Sequence, residues 1–378
     1  MTFNVVVDVI NWSLGGVTSW AANLVSGLLQ EGIGARVLAT QGILTDKTLP
    51  FAGFPLELAP WKDEPLWSVR WNAMIEYLER LAPCVYLPNI DVHYSCISPK
   101  LSTRVVIVGN IHSDNAEYYE HFAQFGRYWN QTVAGSEYLR AQYAARQPEL
   151  AHRLCVLPYG VAIPETRPRR HRTPGAPLRI LYSGRLNRQD KRVFDLPRIM
   201  EALMRRKIPA QLSLTGWGRD EEALRATCRD LMDRGVVHFY GVVSREYLDA
   251  IYEAHDVIIL LSEYEGKPLA LIEGMGRGCV PVVTDVPSGV PELVTDGVNG
   301  YMVPVGAIET FADRLAALQQ DPGLRDRLSQ AAFQTVSQGG YRIEDMVAGY
   351  AELFRRLIRE AAAGQFRRPR GSMPLPCG

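Results

Sequence analysis

The sequence predicts an α/β protein of two doubly wound, parallel-sheet domains facing across a cleft. Three observations carry this. Short, β-branched apolar runs alternate with stretches of helical period, the pattern of parallel sheets covered on both faces. The series restarts after a proline- and arginine-rich stretch near the middle of the chain. And 378 residues are long for one core and natural for two.

The first strand is NVVVDVI, closed by the loop NWSLGG. The helix VTSWAANLVSGLLQEG follows, with Val17, Trp20, Ala21, Leu24 and Leu28 on one face. ARVLAT, RVVIVGN and QTVAGS continue the same sheet. PETRPRRHRTPGAPLR has no hydrophobic periodicity and reads as an interdomain linker. LRILYSG opens the second series, which continues through PAQLSLTG, VVHFYG, DVIILL and CVPVVT. The expected division is 1–164 as the first domain, 165–178 as linker and 179–340 as the second domain. The amphipathic stretch EDMVAGYAELFRRLIREAAAG is the last helix, within 343–363, and 365–378 reads as disordered.

Composition narrows the function classes. The chain is 47% hydrophobic and 22% charged with zero formal net charge, so no global basicity argues for nucleic acid. Six cysteines are scattered without a C-x-x-C pair, as in reduced cytosolic proteins. No signal peptide or run of about 20 apolar residues is seen, so a cytoplasmic protein is expected. Arg355, Arg356, Arg359, Arg367, Arg368 and Arg370 cluster around the last helix. They raise a second expectation, peripheral contact with the inner face of an anionic membrane. A solvated helix face accounts for the same run.

The most informative stretch is EGKPLALIEGMGRGCVPVV, framed by Glu265 and Glu273. A strand, DVIILL, ends before it. Pro268 suits the first position of a helix, since its missing N–H would be unpaired there. Gly278 is placed to stop that helix. A helix N-terminus behind a strand end offers unpaired N–H groups and a positive dipole end, which suit a phosphate. Cβ vectors tilt toward that end, so Glu273 in the second turn can reach a ligand seated there. A carboxylate can accept two hydrogen bonds from a cis-diol. Glutamates eight apart also occur by chance, and context decides.

Other candidates sit at strand ends. Gly15 and Gly16 stand between the first strand and first helix, where glycine lets a backbone approach phosphate oxygens. No G-x-G-x-x-G follows, which counts against a dinucleotide-binding dehydrogenase. SGRLNRQDKR follows the first strand of the second domain, and Arg185 and Lys191 could both reach a diphosphate. A solvated basic loop is the bland alternative. His112 follows RVVIVGN, where a lone histidine is more often structural. Trp61, Trp67 and Trp71 suit either core packing or an aromatic acceptor platform. No Asp-x-Asp pair and no histidine cluster with metal-ligand spacing occurs, so no metal is expected.

The segment SEYEGKPLALIEGMGRGCVPVVTDVPSGVPELVTDGVNGYMVPVG, with Gly184-Arg185-Leu186 and Lys191 upstream, resembles the retaining glycosyltransferases of family 4, which have the GT-B fold. The resemblance implies a sugar transferred from a UDP- or GDP-type nucleotide-diphosphate-sugar to a hydroxyl acceptor, in bacterial surface polysaccharide or glycolipid assembly. It places Glu265 against the donor sugar and Glu273 against the ribose. The stretch Gly266, Lys267, Pro268, Leu269 and Ala270 would hold the diphosphate with Gly184, Arg185 and Lys191. Gly216 matches the same site's pattern, and Tyr240, Gly241 and Val242 would meet the nucleobase. Gly15, Gly16 and His112 would flank donor and acceptor, and the last helix would return to the first domain. No cofactor besides the donor is implied. Front-face and double-displacement routes both remain open. Gly274 departs from the family, which more often has alanine there. A non-catalytic sugar-nucleotide-binding protein of the same fold is the alternative.

Overall fold

The computed structural model describes residues 2–45, 49–89, 91–170, 172–173, 175–369 and 371–373. The chain divides into two compact units. Unit 1 is Met1–Gly160 together with Ile343–Gly378, and unit 2 is Val161–Arg342.

Unit 1 carries a seven-stranded sheet of β1 (Asn4–Trp12), β2 (Gly34–Ile43), β3 (Leu56–Leu58), β4 (Cys84–Leu87), β5 (Val105–Ile111), β6 (Gln131–Ala134) and β7 (Leu154–Val156). Its order is β3-β2-β1-β4-β5-β6-β7, all parallel. Unit 2 carries a six-stranded sheet of β8 (Leu178–Ser183), β9 (Ala210–Thr215), β10 (Val237–Gly241), β11 (Val257–Leu260), β12 (Val280–Thr284) and β13 (Tyr301–Val303). Its order is β10-β9-β8-β11-β12-β13, again all parallel. Both sheets are doubly wound. The central strands are covered on both faces, which is why Val5, Val6 and Val7 in β1 and Val257, Ile258 and Ile259 in β11 read as unbroken apolar runs.

Strand order reverses between β1 and β4 in unit 1, and between β8 and β11 in unit 2. In open α/β sheets, ligands bind outside the carboxyl ends of the strands at such reversals. Each unit therefore has one favoured place for a site.

The helix Ile343–Ala362 belongs to unit 1. It lies so close to the helix Gly16–Gln30 that a Cβ at Gly27 would come within 2.2 Å of Val347. Tyr350 anchors it on the sheet by accepting a hydrogen bond from Asn110 of β5 (2.8 Å).

Two segments differ from expectation. The stretch read as a linker lies on unit 2, with Arg172 paired to Asp256 at 2.6 Å and Arg167 to Asp326 at 2.7 Å. Apolar periodicity does not detect such a segment, because guanidinium groups hold it. The stretch read as a disordered tail is partly docked. Arg368 donates to the carbonyls of Leu101, Ser102, Val105 and Tyr128 at 2.7–3.0 Å. Burial lowers its pKa to about 10. Arg368 is thus withdrawn from the basic cluster. Arg356 pairs with Glu360 (2.9 Å), and Arg370 lies outside the described residues. Among the described residues, no helix is long and apolar enough to cross a membrane.

Candidate functional site

Unit 2 brings most of the candidates to its strand reversal. β8 ends at Ser183, and the chain turns at Gly184 with its N–H on the Thr215 carbonyl (3.1 Å). Gly216 approaches from β9 with φ +123°, and a Cβ there would stand 2.0 Å from the Gly184 carbonyl oxygen. Only glycine lets these two loops touch. Gly216→Ala is expected to destabilise unit 2 by roughly 2–5 kcal/mol, combining a positive-φ penalty with overpacking. Urea unfolding checks this, and a change under 1 kcal/mol would mean the loops separate at little cost.

The loop after Gly184 carries both basic candidates. Lys191 places its ammonium 2.5 Å from Glu265 Oε1, and Ser262 donates its hydroxyl to the same oxygen (2.6 Å). The two side chains are 15% and 11% exposed, so the pair is largely enclosed. Ser262 is itself held, because Thr284 of β12 donates to its carbonyl (2.6 Å). Two residues 74 positions apart thus meet where β8 and β11 end. Arg185 is different. Its guanidinium is 61% exposed and lies 3.2 Å from Asp190. Tyr182 donates to its carbonyl (2.7 Å) and fixes the loop beneath it.

The helix behind Glu265 runs Leu269–Gly276, one residue later than Pro268 suggested. Pro268 has extended geometry (φ −73°, ψ 116°), and its carbonyl accepts from Leu271 and Ile272 (3.1 and 3.4 Å). The first turn has no side-chain cap and no acidic residue, leaving N–H groups at Leu269 and Ala270 for an anion. Gly278 follows the helix with φ +74° and donates to the Met275 carbonyl, while Cys279 donates to Gly274. This is a Schellman closure. Gly274 now has a reason. A Cβ there would stand 3.0 Å from Ile258, so this helix lies closer to β11 than an alanine comfortably allows.

Glu273 lies in the second turn of that helix, enclosed, with Tyr252 donating to Oε2 (3.1 Å) and Arg245 3.5 Å from Oε1. Burial raises its carboxyl pKa above the ordinary 4.5, opposed by the Arg245 charge. Gly266 accepts from the Gly289 N–H (2.7 Å). Lys267 turns its ammonium inward to Glu292 (2.7 Å) and Tyr341 (3.1 Å). Its side chain is therefore committed to packing, and only its backbone remains for a ligand. Tyr240 stands 51% exposed at the end of β10. Gly241 turns beside it at φ +64°, accepting from Gly216 N–H (2.9 Å), and Val242 follows, half-buried.

Unit 1 holds the rest of the candidates by itself. Gly15 and Gly16 are exposed at the N-terminus of the helix Gly16–Gln30, which also has no side-chain cap and no acidic first turn. His112 directly follows β5, with Nδ1 2.9 Å from the Tyr159 hydroxyl and Nε2 3.3 Å from Asn89 Oδ1. Asn89 gives its amide N–H to the Asp8 carbonyl, so its oxygen faces the histidine. That assignment makes Nε2 the protonated nitrogen and Tyr159 the donor to Nδ1. Trp20 packs edge-on at 4.8 Å. Burial lowers the His112 pKa to about 3. The ring is expected to stay neutral from pH 5 to 8, and an NMR titration showing a His112 inflection in that range would contradict this.

Other residues are spent on packing. Asp114 accepts from the Tyr119 and Tyr138 hydroxyls. Trp61 donates to Tyr94 (3.0 Å), Trp71 to the His93 carbonyl (2.8 Å), and Trp67 stacks on His93 with Arg70 at 4.7 Å. Sequence reading missed Ser262, Tyr252, Arg245, Asp190, Asn89 and Tyr159. Ser262 lies three residues before Glu265 and could have been flagged. Asp190 likewise lies five residues from Arg185 in the same loop, whereas Tyr252, Arg245, Asn89 and Tyr159 are distant in sequence from the groups they support, and no local pattern marks them.

Residues 164–335 match the family model of Glycosyl transferases group 1. The chain is 30% identical over 174 residues to the putative colanic acid biosynthesis glycosyltransferase WcaL of Escherichia coli (strain K12), covering 44% of this chain and 42% of that protein. It is 33% identical over 142 residues to the lipopolysaccharide 1,6-galactosyltransferase of Salmonella typhimurium, covering 37% of this chain and 39% of that protein. The chain thus spans less than half the length of these curated relatives. Its fold matches the pneumococcal O-GlcNAc transferase GtfA, solved with UDP and GlcNAc, at a TM-score of 0.80 and 11% identity, over 94% of this chain and 99% of that one. Anabaena Alr3699/HepE, solved with UDP and glucose, matches at 0.75 and 15% identity, over 94% of this chain and all of that one. These likenesses show the GT-B fold.

Proposed function

We propose, for a chain whose residues 164–335 form a Glycosyl transferases group 1 domain, that it is a retaining glycosyltransferase of family 4. It takes its sugar from a nucleotide diphosphate donor, with UDP favoured over GDP because GtfA and HepE were solved with UDP. The acceptor is a hydroxyl of a bacterial surface glycan or glycolipid, the class of work named for the sequence relatives. The observation that carries the reading is the enclosed Lys191–Glu265 pair at the β8/β11 reversal, beside an uncapped helix N-terminus.

In this reading the diphosphate lies on the N–H groups of Leu269 and Ala270, with Glu273 on the ribose and Tyr240 beside the base. Arg185 supplies an exposed cation and Lys191 an enclosed one. As the glycosidic bond breaks, its electron pair goes to the leaving phosphate oxygen, and both cations meet the growing charge. That oxygen takes the acceptor's proton while the acceptor oxygen bonds to the anomeric carbon on the same face. Glu265 acts through its charge. An ammonium and a hydroxyl both converge on its Oε1, which lowers its nucleophilicity and favours this route over a covalent intermediate. Within unit 1, His112 is a neutral, fixed ring, and Gly15 and Gly16 expose their backbone at a helix N-terminus.

The test is incubation of the purified chain with UDP- and GDP-sugars and glycan acceptors in excess EDTA. Transfer with the α-linkage kept, read by NMR, is expected. Nucleotide binding without turnover would instead favour the non-catalytic alternative. Turnover lost in EDTA and restored by manganese would remove the cation-only account, which rests on the missing Asp-x-Asp and on Arg185 and Lys191.

A further inference from the structure

Arg170, outside the site, is as heavily bonded as Arg368. Its guanidinium donates to four backbone carbonyls of unit 2, those of Glu253 (2.9 Å), Tyr252 (3.1 Å), Arg277 (2.7 Å) and Gly278 (3.0 Å). These carbonyls are not scattered. Tyr252 and Glu253 are near the end of the helix Arg245–Ala254, and Arg277 and Gly278 follow the helix Leu269–Gly276. A single planar cation therefore caps both helix C-termini at once, where carbonyls beyond the helical ladder and the negative dipole end favour it.

The two capped helices carry opposite sides of one contact. Tyr252 and Arg245 come from the first, Glu273 from the second. Tyr252 is in both halves of the chain of contacts: its carbonyl is held by Arg170 and its hydroxyl holds Glu273. Tyr252 is fully buried, so its ring transmits the helix position to the carboxylate with little slack.

We infer that Arg170 is a positioning residue for the ribose-binding carboxylate, fixing the spacing of these two helices so that Glu273 meets a nucleotide's 2′,3′-diol. The inference rests on the ribose role given to Glu273 above. Lysine cannot reproduce the effect in full, because a point charge cannot span carbonyls from two helices as the fork does.

The test uses calorimetry on the full chain with UDP and with 2′,3′-dideoxy-UDP, whose ratio of affinities reads the diol contact alone. Wild type is expected to prefer UDP by about tenfold or more, as hydrogen bonds to a charged group allow. Arg170→Ala should lose most of that preference while still binding the dideoxy analogue like wild type. Arg170→Lys should be intermediate, and decides the matter should the alanine variant fail to fold. Arg167→Ala loosens the same segment on the helix Pro322–Gln338 and should keep the full preference. If Glu273→Ala keeps the preference, the ribose assignment falls, and this inference with it. If Glu273→Ala loses it while both Arg170 variants keep it, the inference alone is overturned. Equal loss in Arg167→Ala would also overturn it, since mere loosening would then suffice.

Discussion

Lys191→Met is expected to lower kcat by about 10²–10³, the loss typical of one donor aimed at developing charge. It should also destabilise the chain by about 3–5 kcal/mol, because it strands the Glu265 carboxylate in an enclosed place. The two effects separate in the double variant. Lys191→Met with Glu265→Gln removes both charges, so stability should return to within about 1 kcal/mol of wild type while turnover stays low. Arg185→Ala is the contrast. Its guanidinium is mostly exposed, so stability should hold while kcat falls more than donor affinity does. Urea unfolding and single-turnover transfer check these values. Wild-type turnover in Lys191→Met would leave Lys191 as a structural partner of Glu265 with no part in the transfer.

Glu273→Gln should separate binding from stability in opposite directions. Burial raises the Glu273 pKa, so the folded chain holds this proton more tightly than the unfolded one. A raised carboxyl contributes stability that is full below its ordinary value and is lost as pH rises through the raised value. At neutral pH the buried carboxylate therefore costs stability, and glutamine relieves it. The variant should melt at the same or higher temperature than wild type at pH 7, with the difference vanishing at acid pH. On the ribose role proposed for Glu273, nucleotide binding uses the ionised form. Affinity for UDP should fall by about tenfold in the variant, and in wild type it should fall as pH drops through the raised value. Calorimetry between pH 4.5 and 7.5 reads both. A pH-independent wild-type affinity, or a glutamine variant binding UDP normally, would remove Glu273 from the nucleotide.

The site's chemistry was legible where it is local. The stretch from Asp256 to Val283 reads as strand, loop, helix and strand because period and punctuation lie within about thirty residues. Glu265 and Glu273 were visible there. So was the Gly184-Arg185 turn, since a glycine after an apolar strand marks a strand's carboxyl end. Pro268 was misplaced by one position because its ring suits both the residue before a helix and the first one within it.

By itself, the sequence determined the class of fold, two parallel sheets restarted at mid-chain, because alternating periods and buried β-branched runs admit few other architectures. It also determined which residue types stand at the strand ends. The tertiary structure alone decided who partners whom. Lys191 could have reached for a phosphate or for a carboxylate, and strand order put it on Glu265. Lys267, two residues on in the chain, turned inward to Glu292 instead. The arginine-rich stretch had no periodicity to betray its place, since Arg170 is held by carbonyls at two helix ends. Periodicity reports which face of an element is buried. Hydrogen bonds between residues tens of positions apart depend on how the elements are stacked, and no local pattern records that.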